Sequence, residues 1–432
     1  QLFSGRKVIM ENQKKIKRIR LFHYNFVLLI FGQLFSLLGN TILKFSLSMY
    51  VLEVTGSATI FSVLLAVAMI PTVLLSPVGG VFADRLHRKK MMVSLDALSG
   101  CFVMVVSIVF LWNVNLFLIG ILLILMSILG AFETPTVQAC IPQMQSTDEN
   151  IARANAVVNQ INSIAALAAP FLGNALYLTL GLVPVLFISV GTFFLAAIIE
   201  CFIRLDYYPR KFTDKFFFVL KNDFKDSVRF IFRENKPIAK LLILSAVSAF
   251  FLIGIATVGL PYLVRTVLSM SSTHYAISES VIGFSAILGS IIGGVIATKL
   301  QSKHLYLFIF LVGLSLFPVG IAFVFLENTL TLYIILTVSL CIAQMVACIF
   351  SIHVLSAIQR QTPDDLIGKI MAYCISLSTF AQPLGQVVYG ALFDAFSNEV
   401  YYVFIPSGIC ICIIGLLSIR TFRKLYNKEH QS

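Results

Sequence analysis

Apolar residues in this chain run in blocks of bilayer length, broken by short polar turns, rather than alternating or forming one stripe. The blocks fall near residues 24–50, 57–83, 91–112, 116–142, 151–178, 183–204, 238–264, 277–299, 304–326, 329–357, 365–394 and 398–420. About 20 apolar residues in a helix cross the hydrocarbon core of a bilayer, where a helix satisfies its own backbone. The pattern predicts an all-α membrane protein with 12 transmembrane helices. One long polar stretch parts the blocks six from six. The expected organisation is a basic tail (1–23), a six-helix half (24–204), a linker (205–236), a second six-helix half (237–420) and a tail (421–432).

Composition agrees with this reading. The 432 residues are 58% apolar and 12% charged, where a soluble chain carries about 25% charged residues. The 32 Lys and Arg exceed the 20 Asp and Glu, for a net charge of +12. With the N-terminus assigned to the cytoplasm, every Lys and Arg except Lys44 and Arg265 falls on the inner side, the positive-inside pattern. The basic balance is thus an orientation signal that puts both termini in the cytoplasm, and nucleic acid is not an expected partner. The outer loops carry Glu53, Glu279, Glu327 and Glu399.

The eight cysteines lie in apolar stretches without paired spacing and read as free thiols, so no metal or disulfide framework is expected. No Walker loop, zinc pattern or nucleophile constellation occurs, which argues against ATP-driven transport within the chain, enzymatic chemistry or a cofactor. No removed signal peptide is expected; Met10 opens a plausible natural start, with residues 1–9 upstream of it. In the linker, Phe216, Leu220, Phe224, Val228, Ile231 and Phe232 recur at helical spacing among Lys221, Lys225, Arg229 and Arg233. That pattern predicts an amphipathic helix on the cytoplasmic membrane surface.

The halves echo each other. GGVFADRLHRKKMM at 79–92 answers GGVIATKLQSKHLY at 293–306, and IPQMQSTDENIARAN from Ile141 answers IQRQTPDDLIGKIMA from Ile358. Parallel repeats of this kind mark transporters that rock two halves about a midplane site. The segment GGVFADRLHRKK resembles the loop 2–3 signature of the major facilitator superfamily, G-x-x-x-D-R-x-G-R-K. Gly80, Asp84, Arg85, Arg88 and Lys89 match, and His87 stands in the place of the second glycine. FGQLFSLLGN, SLDALSG, AFETPT and RENKP are similar to segments of the bacterial macrolide-efflux branch of that superfamily. The resemblance implies the major facilitator fold, a bacterial cytoplasmic membrane and proton-driven export of an amphipathic small molecule. It further implies that Asp84 faces the start of span eleven, near Pro363-Asp364-Asp365, and latches the halves on the inner side. From the residues alone, Arg85, Arg88 and Lys89 are expected at the C-terminal end of span two, where cations meet the negative end of the helix dipole.

Ionisable groups inside spans are costly and point to function. Asp96 and Glu133 share a depth near the inner ends of spans three and four; they read either as a proton relay or as a charge network supporting the latch. Gln33, Asn40 and Lys44 fall on one face of span one and are expected at a central cavity. Lys44 either snorkels outward or binds an anionic group. Asn155, Asn159 and Asn162 line the inner half of span five, Gln382, Gln386 and Tyr389 a face of span eleven, and Gln344 the middle of span ten. His353 reads as a packing residue. Pro135, Pro170 with Gly173, and Pro383 with Gly385 are expected to bend their helices, the last two pairs at repeat-related places. The segment from Ala169 to Gly173 loosely resembles the antiporter motif G-P-x-x-G.

Together these residues suggest a secondary exporter of amphipathic, macrolide-type compounds, coupled to protons and complete as a monomer. Two alternatives stay open. One is an exporter of an anionic metabolite or siderophore that uses Lys44 as counter-charge; the other is a membrane sensor that moves no solute.

Overall fold

A computed structural model describes residues 21–145, 147–205, 236–296, 301–362 and 367–429. The linker helix expected at 216–233 and the Pro363-Asp364-Asp365 segment lie outside the described residues. Twelve long helical segments follow in order: α1 Tyr24–Thr55, α2 Ala58–Arg85, α3 Arg88–Phe110, α4 Leu116–Met144, α5 Asp148–Leu180, α6 Leu182–Cys201, α7 from Lys236–Gly254 onward, α8 Ser272–Ile296, α9 Leu305–Phe325, α10 Thr329–Gln361, α11 Ile367–Ala395 and α12 Tyr401–Glu429. Eleven are long and apolar enough to cross a membrane among the described residues; α11, a continuous helix of 29 residues, is the remaining segment.

Helix ends follow local chemistry. Gly56 ends α1 in the left-handed conformation (φ 59°) while donating its N–H to Leu52, a geometry a side chain resists. Ser57 then caps α2 by accepting from Ile60 N–H. Asn115 and Thr147 cap α4 and α5 in the same way, accepting from Phe117 and Asn150. These caps satisfy orphan donors that would otherwise be stranded. The lateral surface is apolar: Leu74, Val105, Phe117 and Leu417 are each more than half exposed, which suits contact with lipid chains and not with water.

Packing repeats between the first six helices and the last six. The pairs α1–α5, α2–α4, α3–α6 and α3–α4 recur as α7–α11, α8–α10, α9–α12 and α9–α10. The two sets meet mainly through α2–α11 and α5–α8. Small residues permit the close crossings, as expected where packing replaces a hydrophobic driving force. Pro135 cannot donate to Ala131, and that carbonyl faces Gly79 of α2, where a side chain would collide with it. Gly289 and Gly293 sit against Met345 and Ile349 at the corresponding α8–α10 crossing. Gly173 lies against Phe45 of α1, and Gly385 against the Phe250 carbonyl of α7. The helices continue through Pro135, Pro170 and Pro383, so these glycines serve close packing of repeat-related pairs.

Several expectations change. Beyond Gly254, α7 widens into π-helical turns at Ile255–Gly259 and Leu263–Val267 on either side of Leu260–Tyr262; such turns carry no hydropathy signal. Glu279, expected in an outer loop, lies two turns inside α8, beside Tyr275. The polar run before it, Ser271 to His274, concealed the true helix start. At the other end α12 continues to Glu429, into the stretch expected as a tail. Lys303 stacks its ammonium over Tyr426 of that extension, 4.9 Å from the ring centre.

Candidate functional site

Three carboxyl groups converge in the first six helices. The Ser36 hydroxyl of α1 lies 2.7 Å from Asp96 Oδ1 of α3 and 3.0 Å from Glu133 Oε1 of α4. The carboxyl of Glu200, from α6, comes within hydrogen-bond reach of Asp96. Asp96 and Glu200 are each 1% exposed. Neither oxygen of Glu200 meets a donor. Gln33, also buried, directs its amide toward Glu133 and Glu200 without a well-aligned bond to either. Sequence expectation put Gln33 at a cavity wall; in the fold it belongs to this acidic cluster. Gly32 leaves room for it, because a Cβ there would lie 2.8 Å from Glu200 Cγ. Lys44 is exposed, and its ammonium lies within electrostatic reach of Glu133.

Glu200 was not singled out in the sequence because it closes a span and reads as a boundary charge. The available signal was its place inside an apolar run, four residues before the nearest cation, Arg204.

The loop between α2 and α3 is only Leu86-His87, so Arg88 and Lys89 open α3 instead of ending α2. This corrects the dipole expectation for those two residues. Arg88 nevertheless reaches back: Nε donates to the Ala83 carbonyl in the last turn of α2 (2.9 Å) and Nη1 to Ala139 of α4 (2.7 Å). Its planar fork thereby satisfies a C-terminal orphan carbonyl and ties three helices together. Arg85 lies in the last turn of α2 as expected. Gly80 has open space beside it. The side chain of Asp84 lies outside the described residues.

At the opposite end, Asp394 of α11 caps α2. Its Oδ1 accepts from Ala58 N–H (2.8 Å), and its Oδ2 accepts from Thr59 N–H (2.9 Å) and the Ser57 hydroxyl (2.6 Å). An anion at a helix N-terminus meets both free N–H groups and the positive end of the dipole. Gly390, one turn earlier, lets α11 lie directly on Ser62 and Ala58. On the other seam, Asn174 donates to Thr273 (3.2 Å), Ser280 donates to the Leu167 carbonyl (3.1 Å), and Phe45 stacks on Tyr275 with centroids 5.3 Å apart. These contacts join the two sets of helices at the end assigned outward.

The other predicted polar residues disperse. Asn155, Asn159 and Asn162 are exposed, and Gln382 and Gln344 are half-buried, with Gln344 Nε2 lying 3.7 Å from Cys348 Sγ. Asn40 buries its Oδ1 without a donor. Gln386 donates to Thr257 (3.3 Å), while Tyr389 turns into the core and pairs with the Ser407 hydroxyl (2.7 Å). His353 is buried against Phe308, its Nδ1 on the Ile349 carbonyl (2.8 Å).

Helix order, repeat packing and a two-set interface define a membrane transporter fold. The chain belongs to the Major Facilitator Superfamily, which it matches over residues 29–386. It is 25% identical over 401 residues to Macrolide efflux protein A of Streptococcus pyogenes, covering 91% of this chain and 95% of that protein. It is 22% identical over 407 residues to the uncharacterized MFS-type transporter YkuC of Bacillus subtilis, covering 90% of each. A crystal structure of the peptide transporter POT with sulfate superposes with a TM-score of 0.71 at 14% identity, covering 93% of this chain and 95% of that one. The nucleoside transporter NupG gives 0.71 at 14% identity, covering 91% and 99%. At such identities the structural likeness concerns the fold.

Proposed function

We propose that this multi-pass membrane protein is a secondary active exporter of amphipathic, macrolide-type compounds, driven by proton influx through alternating access. The observation that carries the reading is the buried meeting of Asp96 and Glu133 on one serine hydroxyl, beside the exposed Lys44. Buried carboxyls that exchange protons are what a coupled carrier requires, and distant relatives named as macrolide efflux proteins supply the solute class. In this reading Asp84 latches the inner end, Asp394 closes the outer end, and Asn40, Lys44, Asn159, Asn162, Gln344 and Gln382 line the solute path. One chain holds both halves of that path, so a monomer suffices.

The test is accumulation of a labelled macrolide and of a fluorescent lipophilic cation in expressing cells, with and without a protonophore. Lower accumulation that rises when the proton gradient collapses, and is lost in Asp84→Asn at equal expression, is the expected result. Unchanged accumulation of both probes rejects drug export. A second reading, export of an anionic metabolite, draws on the exposure of Lys44; Lys44→Gln then abolishes flux of anionic solutes alone.

A further inference from the structure

The Ser36 junction allows protons to be counted. A serine hydroxyl has one proton to donate and lone pairs with which to accept. Ser36 Oγ contacts Asp96 at 2.7 Å and Glu133 at 3.0 Å. If its proton goes to one carboxylate, the other contact is a hydrogen bond only when that carboxyl carries its own proton. The Asp96–Glu200 contact sets the same condition again, because two carboxylates repel whereas an acid and a carboxylate bond. Among the described residues the oxygens of Glu200 meet no well-aligned donor, and only the Gln33 amide is directed toward them.

The surroundings supply little positive charge. Lys44 acts on Glu133. Arg88 and Glu200 both act on Cys140 of α4, and the Arg88 guanidinium also donates to the Ala83 and Ala139 carbonyls. Gln33 is a further polar group there, buried and aimed at Glu133 and Glu200. Among the described residues, three ionised carboxyls would therefore outnumber the cations acting near them, Lys44 and Arg88, in a medium that screens poorly.

We propose that Asp96, Glu133 and Glu200 form a single proton-binding site that holds two protons in this conformation, leaving one negative charge opposite Lys44, and that Glu200 is a coupling residue. The proposal rests on the proton-coupled reading and gives it a stoichiometry. Movement of α1 against α3, α4 and α6 would break both Ser36 contacts. The carboxyls would then repel one another and release their protons to water, linking proton count to helix position.

The first experiment needs no solute. Infrared difference spectra of the purified protein, recorded through a pH titration, count the carbonyl bands of protonated carboxylic acids. Wild type should show two at neutral pH. Glu200→Gln should show one, since its amide donates to Asp96 in place of the shared proton, and Glu133→Gln should also show one for the same reason at Ser36. In vesicles with the membrane potential clamped, a tenfold proton gradient should sustain a solute gradient of up to about 100-fold in wild type and about tenfold in either variant, by proton linkage. No protonated-acid band in wild type, or an unchanged count in Glu200→Gln, overturns the proposal. So do bands displaced by sodium, with flux following a sodium gradient, since an all-oxygen site also suits a hard cation. Two bands that behave as expected in a protein that moves no macrolide reject the solute assignment and leave the proton count standing.

Discussion

Asp394→Asn removes the charge that joins α11 to α2 while keeping the size of the side chain. The carboxylate now accepts two backbone N–H groups and one hydroxyl at 2.6 to 2.9 Å. An amide keeps one acceptor oxygen and turns N–H against N–H at the other position. Hydrogen bonds to charged groups contribute about 1.5–3 kcal/mol each, and an anion at a helix N-terminus about 0.3–1 kcal/mol more. Because the clasp is only partly buried, we take a loss of about 2–3 kcal/mol, which shifts a two-state equilibrium by roughly 30- to 150-fold toward opening at this end. Spin labels on Val54→Cys and Phe396→Cys, both exposed beside the clasp, report that opening as a longer distance population. The reasoning fails if Asp394→Asn leaves the distance distribution of the otherwise cysteine-free protein unaltered. Asp394→Ala, which also removes the acceptor oxygen that an amide keeps, should open this end at least as far as Asp394→Asn.

Other sites give narrower expectations. Arg88→Lys keeps the charge but cannot span the Ala83 and Ala139 carbonyls with a point ammonium, so thermal unfolding in detergent should show a loss of about 1.5–3 kcal/mol; an unshifted melt refutes the three-helix tie. Gly32→Ala should push Glu200 off its position, since the new methyl falls 2.8 Å from Cγ; infrared bands of the carboxyl cluster should move, and identical spectra would count against the packing argument. Tyr389→Phe strands the buried Ser407 hydroxyl at a cost of about 1–3 kcal/mol, and adding Ser407→Ala should recover part of it in the same melt. Equal melts for the single and double variants would show that no stranded hydroxyl was relieved, and a single variant that melts like wild type would show that the pair contributes nothing.

Much of the fold was legible because membrane burial writes itself along one dimension. Blocks of apolar length were read in this way; the caps at Ser57, Asn115 and Thr147 and the left-handed Gly56, which were not singled out in the sequence, also act within a few residues of chain. The same holds for the repeated GGV segments, whose glycines recur at the α2–α4 and α8–α10 crossings. The depth of Asp96 and Glu133 could also be read, since depth is a count of residues from a helix end. Where polarity interrupts an apolar run the reading slipped, as at Ser271 to His274, which hid the start of α8.

Which face of each helix meets which neighbour is a matter of rotation and crossing, and depends on packing among helices far apart in sequence. Only the tertiary structure brings Glu200 of α6 to Asp96 of α3, turns Gln33 into the acidic cluster, and carries Asp394 across 337 residues to the first turn of α2. Hydropathy fixes how deep a charge lies, whereas its partner is set by side-chain shape at the crossings, and that information resides in no single segment of the chain.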